Sequence, residues 1–302
     1  MTAKAFWKLL RGSASKWRDC NAPRLGAALA FYLLLSLTPL LIFLVAIFGY
    51  AFSAATAQEK LLAEVHGVAG PAGEHAVRML ISNAAQPKSG LFASCLALAT
   101  LLFGASGVFL ELRESLNTIW SAPKRVSATL HSFVHQRLSS FAMVLGLAVV
   151  LMASLLLSTA LAVLERFFVG IFPIHLAILS EVANLLISLL AISVLFALIF
   201  KYVPDVPIDW RDVGIGAVFT ALLFTIGKTV LAIYFGTVGV GSTYGAAGSL
   251  VALIVWVYYS AQIFFFGAIF THEYATKYGP RAIPRTSSLP ATGQFKVRSQ
   301  TA

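Results

Sequence analysis

The sequence has few charged residues and few cysteines. Only 11% of its 302 residues are charged and 59% are hydrophobic, whereas an ordinary soluble domain is roughly one quarter charged. A soluble core cannot bury so much apolar material, so the composition excludes an ordinary soluble protein. The two cysteines, Cys20 and Cys95, fall on different predicted elements, which excludes a disulfide framework.

Motifs for catalysis or cofactor binding are also missing. His131 and His135 have the i, i+4 spacing of a zinc pair, but Ser132 stands where a metalloprotease has glutamate. The sequence contains no phosphate loop, no dinucleotide fingerprint and no Ser/His/Asp arrangement. We therefore expect no catalytic residue, no metal, no cofactor and no enzyme activity.

Long apolar runs dominate what the sequence does contain. A run of about 20 apolar residues is long enough to cross a hydrocarbon core roughly 30 Å thick. Such runs cover approximately residues 25–50, 90–110, 138–164, 177–200, 213–236 and 247–272. They predict an all-α, polytopic membrane protein with six transmembrane helices, which together form one membrane domain over residues 25–273.

The placement of the basic residues predicts the orientation of the chain. Seventeen lysines and arginines lie in the two ends and the alternate connections on one side, four lie on the other side, and Lys228 lies inside the fifth run. Lysine and arginine favour the cytoplasmic side of a membrane, so both termini are predicted to be cytoplasmic. The net charge of +10 then reflects topology and contact with membrane lipids, rather than binding of nucleic acid.

Three segments lie outside the predicted spans. Residues 1–24 are basic and amphipathic, which is typical of a helix at the cytoplasmic interface, although a frayed charged leader is the alternative. Residues 51–89 contain helical patterns around 58–66 and 74–84, and predict an external helical hairpin. Residues 274–302 have the composition of a disordered cytoplasmic tail.

Pro39 lies within the first predicted span. A proline there cannot donate to the carbonyl of Leu35 and clashes with it, so a kink is expected. Ser36 is placed to bond a backbone carbonyl and to compensate in part. Ser36 and Pro39 are therefore a candidate hinge.

Lys228 is the clearest ionisable residue within a span, where charge is costly and often functional. Glu181 and Asn184 share one face of the fourth span at a similar depth, and Gln262 lies near the middle of the sixth. Three interpretations are open. Lys228 and Glu181 form an ion pair that fixes packing, these residues line a path for an anionic compound, or Lys228 extends to the interface.

The stretch GTVGVGSTYGAAGS, residues 236–249, separates the fifth and sixth spans and is rich in glycine. One interpretation is a broken helix entry, at which Gly241, Ser242, Thr243, Tyr244 and Gly245 offer free N–H groups to an anion. The alternative is a flexible outer loop followed by a Gly-x-x-x-Gly helix contact.

Three stretches, ALAFYLLLSLTPLLIF, GASGVFLELRESLNTIW and YGAAGSLVALIVWVYYSAQIFFFGA, resemble the YihY/BrkB family of bacterial inner-membrane proteins, once labelled ribonuclease BN-like. The resemblance covers about residues 20–278 and implies six spans and an inner-membrane location, but no agreed substrate. The family's last motif often reads Gly-Ala-Glu, whereas Gly267 and Ala268 are followed here by Ile269. The nearest acid, Glu273, lies one helical turn later.

These observations predict a transporter or flippase of an anionic or amphiphilic envelope compound. The alternative is a scaffold of the bacterial envelope that transports nothing. Ribonuclease activity is not expected, because no cluster of histidines and acids for metal-assisted hydrolysis occurs. Six spans are few for a solitary transporter, so a homodimer is compatible with this interpretation.

Overall fold

The computed structural model describes residues 3–51, 54–84, 107–122, 175–238 and 248–279. Within these ranges the chain is helical apart from short turns and contains no strand, so the all-α prediction is confirmed there. The helices are α1 (Ala3–Asp19), α2 (Ala22–Ala51), α3 (Ala54–Ala84), α4 (107–119), α5 (His175–Tyr202), α6 (Trp210–Val238) and α7 (Gly248–Tyr278).

Two of the described helices are long and apolar enough to cross a membrane, namely α6 over Trp210–Phe235 and α7 over Gly248–Tyr278. A third candidate arises if α1 and the part of α2 up to Leu37 are counted as one bent span. The runs at 90–110 and 138–164 lie mostly or wholly outside the described residues. Six spans and cytoplasmic termini therefore stay predictions.

A sharp bend separates α1 from α2. The two helices meet at 68°, and Asn21 between them has a φ of 51°, in the left-handed region. Asparagine tolerates this region better than most residues. The amide of Asn21 bonds the carbonyl of Arg18, and its own carbonyl accepts from Arg24, so one helix ends and the next begins at this residue.

The helix α3 is broken at Gly70, which has φ 70° and ψ −173°. Glycine adopts these angles without a steric penalty, and Pro71 suits the first turn of a new helix because it lacks an N–H. Side chains before and after the break pack against α2, since Leu62 and Val77 form a cluster with Leu41. The segment therefore consists of two helical halves that share one apolar face.

The antiparallel helices α6 and α7 cross through two reciprocal contacts between glycine and threonine. A Cβ atom at Gly216 would lie 1.9 Å from Thr271 Oγ1, and one at Gly267 would lie 2.0 Å from Thr220 Oγ1. Each threonine also donates 2.7 Å to the glycine carbonyl of its own helix, Thr220 to Gly216 and Thr271 to Gly267. Both hydroxyls are thus satisfied while the two backbones approach closely.

Aromatic rings fill the space where α5 meets this pair. Phe200 is fully buried, and its ring centroid lies 5.3 Å from that of Phe264 on α7. Phe196 packs 5.9 Å from both Phe224 on α6 and Phe264. Because dispersion contacts accumulate over such large rings, this cluster fixes the three helices against one another.

The helix α4 joins the same core through its last turns, where Leu116 and Ile119 are fully buried. Two residues after its last helical residue stands Ser121, whose φ of 51° is left-handed. The amide of Ala122 bonds the carbonyl of Asn117, and that of Ser121 bonds Thr118. This is the Schellman pattern, which satisfies carbonyls that the end of a helix would otherwise leave free.

Candidate functional site

Polar side chains of the described residues concentrate where α1 packs on the rest of the molecule. We call this region the α1 end. It consists of α1, the second half of α4 (113–120), the turn at 203–209 and the end of α7 (271–279). The α1 end contains only the last residues of α7, so it is distinct from the middle of the helix bundle.

A glycine allows α1 to lie directly on a charged pair of α7. Lys277 Nζ donates to Glu273 Oε2 over 2.6 Å. A Cβ atom at Gly12 would lie 2.9 Å from Lys277 Nζ and 3.0 Å from Glu273 Oε2. A larger residue at position 12 would therefore push α1 away from the pair.

One turn later on α1, a lysine reaches an imidazole. Lys16 Nζ lies 2.8 Å from His272 Nδ1 and 3.1 Å from Nε2. The ring of Trp120, from the end of α4, meets the His272 ring edge-on with centroids 5.0 Å apart. His272 is thus in contact with side chains from both α1 and α4.

Burial and nearby charges shift the pKa of Lys16 in opposite directions. Burial lowers the pKa of its ammonium group, while the adjacent thiol of Cys20 and the carboxylate of Glu273 raise it. Burial also raises the pKa of the Cys20 thiol, and Lys16 opposes that shift. Desolvation is the larger influence on both groups, because a charged form loses its water there.

Two hydrogen-bond donors at the α1 end have no partner. Ser13 is fully buried, and its Oγ makes no hydrogen bond; the same holds for the buried Nε1 of Trp120. Buried polar atoms are paired in the great majority of cases. Two such exceptions within one region therefore require an explanation.

The turn at 203–209 is fastened to α4 by a carboxylate. Arg113 holds Asp205 through two hydrogen bonds, one of them 3.0 Å from Nε to Oδ2, and the other from a terminal nitrogen to Oδ1. Asn117 Nδ2 donates to the same carboxylate over 2.7 Å, and its Oδ1 accepts from the Asp205 amide over 2.8 Å. Such a paired arrangement orients both elements.

Asp212 lies in the first turn of α6 and is only 3% exposed. Its Oδ1 has no hydrogen-bond partner, and a Cβ atom at Gly279 would lie 2.6 Å from its Oδ2. A carboxylate is favoured in the first turn of a helix by the helix dipole. Asp212 is thus a buried carboxylate at the start of α6, next to the end of α7, with one oxygen that has no hydrogen-bond partner.

Gln262 lies deeper in the bundle, where α2 begins. Its Nε2 donates weakly to the carbonyl of Pro23 at 3.5 Å. A Cβ atom at Gly26 would lie 2.0 Å from that nitrogen, so only glycine leaves room for the amide. The Oε1 of Gln262 is buried without a partner.

Lys228 is partly exposed and lies within the candidate span of α6. Its neighbour Gly227 packs against Tyr259 and Ile263 of α7, so Lys228 and Gln262 have about the same depth. No described residue forms a hydrogen bond or an ion pair with Lys228. The structure thus has a cation near the middle of an apolar helix.

The other predicted residues are described in part or not at all. Glu181 and Asn184 lie on α5, but their side chains are outside the described residues, so the pairing of Glu181 with Lys228 stays a prediction. The segment Gly241, Ser242, Thr243, Tyr244 and Gly245 also lies outside them.

In the candidate hinge, α2 is helical on both sides of Pro39. Ser36 Oγ donates to the carbonyl of Leu33 over 3.0 Å. A backbone carbonyl is the type of partner that the sequence predicts for this hydroxyl.

Sequence reasoning did not identify the α1 end as a site. Lys16 and Arg113 served only as signals of topology, His272 is the last residue of the sixth predicted span, and Trp120 is the last residue of a stretch quoted for the family resemblance. Their contacts join residues as far as 256 positions apart, which no local pattern reveals. One available signal lies in residues 111–120, where Leu112, Leu116 and Ile119 recur at helical spacing among polar residues. Among the residues that the structure describes, no group of three His, Cys, Asp or Glu side chains is arranged to hold a metal ion.

Comparison with protein families gives a match over almost the whole chain. The model of the family described as Virulence factor BrkB matches residues 13–289. No solved structure matches the chain.

Several curated membrane proteins are similar to this chain. The UPF0761 membrane protein of Glaesserella parasuis is 28% identical over 223 residues, which is 72% of this chain and 73% of that protein. The Putative ribonuclease-like protein YfkH of Bacillus subtilis is 24% identical over 245 residues, 80% of this chain and 86% of that protein. A UPF0761 membrane protein of Verminephrobacter eiseniae is 41% identical over only 76 residues, 25% of this chain and 18% of that protein.

Proposed function

Because this chain belongs to the BrkB virulence factor family of membrane proteins, we propose that it is a multi-pass inner-membrane protein that moves an anionic or amphiphilic envelope compound across the bilayer. Lys228 carries the proposal. It lies within a candidate span, at the depth of Gln262, and no described residue pairs with it. A cation in apolar surroundings is costly and attracts an anionic group.

The neighbouring side chains support a path rather than a sealed core at this depth. Lys228 is partly exposed, and the next residue of α6, Thr229, is exposed. The amide of Gln262 has an acceptor oxygen without a partner. A polar substrate passing at this level would meet the cation on α6, and it would reach the buried amide of Gln262 on α7 only when the helices separate.

An envelope scaffold that transports nothing is the second candidate. It is favoured by the α1 end, where Arg113, Asp205 and Asn117 fasten separate elements and α1 presents basic residues outward. Neither candidate includes an enzymatic step, and neither includes nucleic acid as a partner. A homodimer is compatible with both.

An untargeted comparison of lipids and metabolites distinguishes the two candidates. The profile is measured in a deletion strain, in the same strain with the gene restored, and in an overexpressing strain. Transport predicts that an anionic or amphiphilic compound changes in opposite directions in the deletion and overexpression strains. An unchanged profile in both would argue against transport and favour the scaffold.

A further inference from the structure

The half of α3 that follows its break packs alongside α2 and α7. Its Ala76 is buried in one cluster with Ala30 of α2 and Val257 of α7. Ala30 lies in the first half of the first predicted span. Val257 lies close to the middle of the sixth. Two separate helices thus place Ala76 at the depth of the predicted spans, whereas the sequence alone predicts an external hairpin here.

The two halves of α3 approach this depth from the same side. Leu62 of the first half and Ile81 of the second belong to one cluster with Leu41 of α2. Leu41 lies roughly 16 Å further along α2 than Ala30, toward the end of that helix. The break at Gly70 is therefore the deepest part of α3, and both ends of α3 lie on the side where α2 ends.

No described side chain covers the break. Gly70 has non-helical backbone angles, and a Cβ atom at Gly70 or at Gly67 would meet no described atom within 4 Å. Lipid cannot form hydrogen bonds with the backbone groups that such a break releases. Non-helical backbone at membrane depth is therefore found only where protein buries it or where water reaches it.

Polar side chains join the two halves across the break. Glu74 binds Arg78 over 2.7 Å and His66 over 2.8 Å. The side chains of His66 and Arg78 are nevertheless 54% and 56% exposed, while Ala76 and Val77 face the buried side of the same helix. Charged groups inside a bilayer are costly unless they face protein or a water-filled cavity, so this exposed edge requires water.

We propose that α3 is a re-entrant helical pair, which enters the bilayer from the side where α2 ends and turns back at Gly70, and that its polar edge lines an aqueous vestibule. In the predicted orientation this side is the outer one. Water and small ions reach the depth of Val257. Gly227 packs against Tyr259, so the neighbouring Lys228 lies about one helical turn from that depth. Only the use of the vestibule by a transported compound rests on the proposed function.

The first measurement tests the depth of α3 by cross-linking. Cys20 and Cys95 are replaced by serine in the full chain, and Ala30→Cys is combined with Ala76→Cys. Because both alanines belong to one buried cluster, a short bifunctional thiol reagent should join them in native membranes, and mass spectrometry identifies the joined peptides. Ala30→Cys with Ser82→Cys is the matched control, which should not cross-link because Ser82 is exposed further along α3.

The second measurement tests access from water. His75→Cys, Ser82→Cys and Val230→Cys are each treated in right-side-out vesicles with a small or a bulky anionic thiol reagent. His75 and Ser82 are exposed positions of the same half of α3, and Ser82 lies roughly 10 Å closer to the surface. Val230 is exposed on the apolar α6 at about the depth of His75. The small reagent should label both α3 positions but not Val230→Cys, and the bulky reagent should label only Ser82→Cys.

Each measurement has a result that overturns the proposal, and neither depends on transport. An abundant protein in which Ala76→Cys joins neither Ala30→Cys nor Leu253→Cys, a third member of the cluster, contradicts the depth.

Equal labelling of His75→Cys and Ser82→Cys by the bulky reagent indicates an external hairpin and overturns the proposal. Labelling of His75→Cys by the small reagent no faster than Val230→Cys overturns it as well, because lipid or protein then covers the turn.

Discussion

The α1 end and the middle of the bundle use charged residues in opposite ways. At the α1 end, Arg113 binds Asp205 and Lys277 binds Glu273, so each of these two carboxylates has a basic partner. In the middle, Lys228 has no described partner. A paired charge contributes to structure, whereas an unpaired one in apolar surroundings costs stability. The difference indicates a structural role for these two pairs, and it is the reason why we propose a functional role for Lys228.

The largest effect on stability is expected where α6 crosses α7. Gly216→Ala places a methyl group 1.9 Å from Thr271 Oγ1, so the helices must separate. We expect a loss of about 1 to 3 kcal/mol in the free energy of unfolding and reduced abundance in the membrane. Gly214→Ala on the same helix meets nothing within 4 Å and serves as the control.

A second substitution should restore part of the stability that Gly216→Ala removes. Adding Thr271→Ala to Gly216→Ala removes the hydroxyl that the new methyl group meets, and part of the lost stability should return. If Gly214→Ala and Gly216→Ala melt at the same temperature, the close contact between α6 and α7 is wrong.

A smaller loss is expected when the fastening at the α1 end is broken. Arg113→Met leaves the Asp205 carboxylate with Asn117 but without its two bonds to arginine. Both partners are partly exposed, at 18% and 22%, so water compensates in part and we expect a loss of about 0.5 to 1.5 kcal/mol. Denaturant unfolding in detergent measures it.

Arg113→Lys is the matched variant for that measurement. Lysine keeps the charge but cannot form the paired bonds of a guanidinium, so an intermediate loss is expected. A stability equal to the wild type in both variants would show that the contact with Asp205 does not fasten the turn.

In the middle of the bundle, removing the charge should have little effect on stability. Lys228→Met deletes a cation for which the structure describes no partner, so the melting temperature should stay close to that of the wild type. If Glu181 does pair with Lys228, the same change strands a carboxylate and costs about 3 to 5 kcal/mol. Glu181→Gln added to it would then restore stability, and the double-mutant cycle separates the two cases.

The smallest effect is expected on α3, where Glu74 bridges the break at Gly70. It binds Arg78 over 2.7 Å and His66 over 2.8 Å. The bonds from Arg78 and then His66 lower the pKa of Glu74. Its contribution is therefore complete above the ordinary range of a glutamate and is lost only as the pH falls through the lowered pKa.

Hydrogen exchange of the α3 amides as a function of pH measures this contribution. Protection on both sides of Gly70 should fall at acidic pH in the wild type, and it should be lower and less dependent on pH in Glu74→Gln. The change is small because exposed ion pairs contribute little. Identical profiles in both proteins would show that the bridge does not hold the two halves.

Features that depend on neighbouring residues in the sequence could be predicted, whereas features that depend on contacts between distant residues could not. Helices such as α6 and α7 follow from local apolar runs, and the glycine and proline at 70 and 71 mark a break within α3. The partners of Gly216, Lys16 and Arg113 could not be predicted, because each is far away in sequence and is determined by packing.

Ionisable residues illustrate the same limit at the candidate sites. Lys228 was identified because a charge within an apolar run is conspicuous in any sequence. Lys16 and His272 were not, because basic residues at both ends of a membrane protein are expected for topology alone. Only the fold shows that α1 and α2 are bent by 68° relative to each other and that α1 contacts the end of α7.

The most direct test of the functional role of Lys228 is complementation at equal protein abundance. A deletion strain receives the wild type, Lys228→Met, Lys228→Arg or Val230→Met, the last being an exposed position of the same helix. The account predicts that Lys228→Met is present at normal abundance in the membrane but leaves the lipid and metabolite profile of the deletion unchanged. Val230→Met should restore that profile fully and Lys228→Arg in part. Full restoration by Lys228→Met would contradict the account.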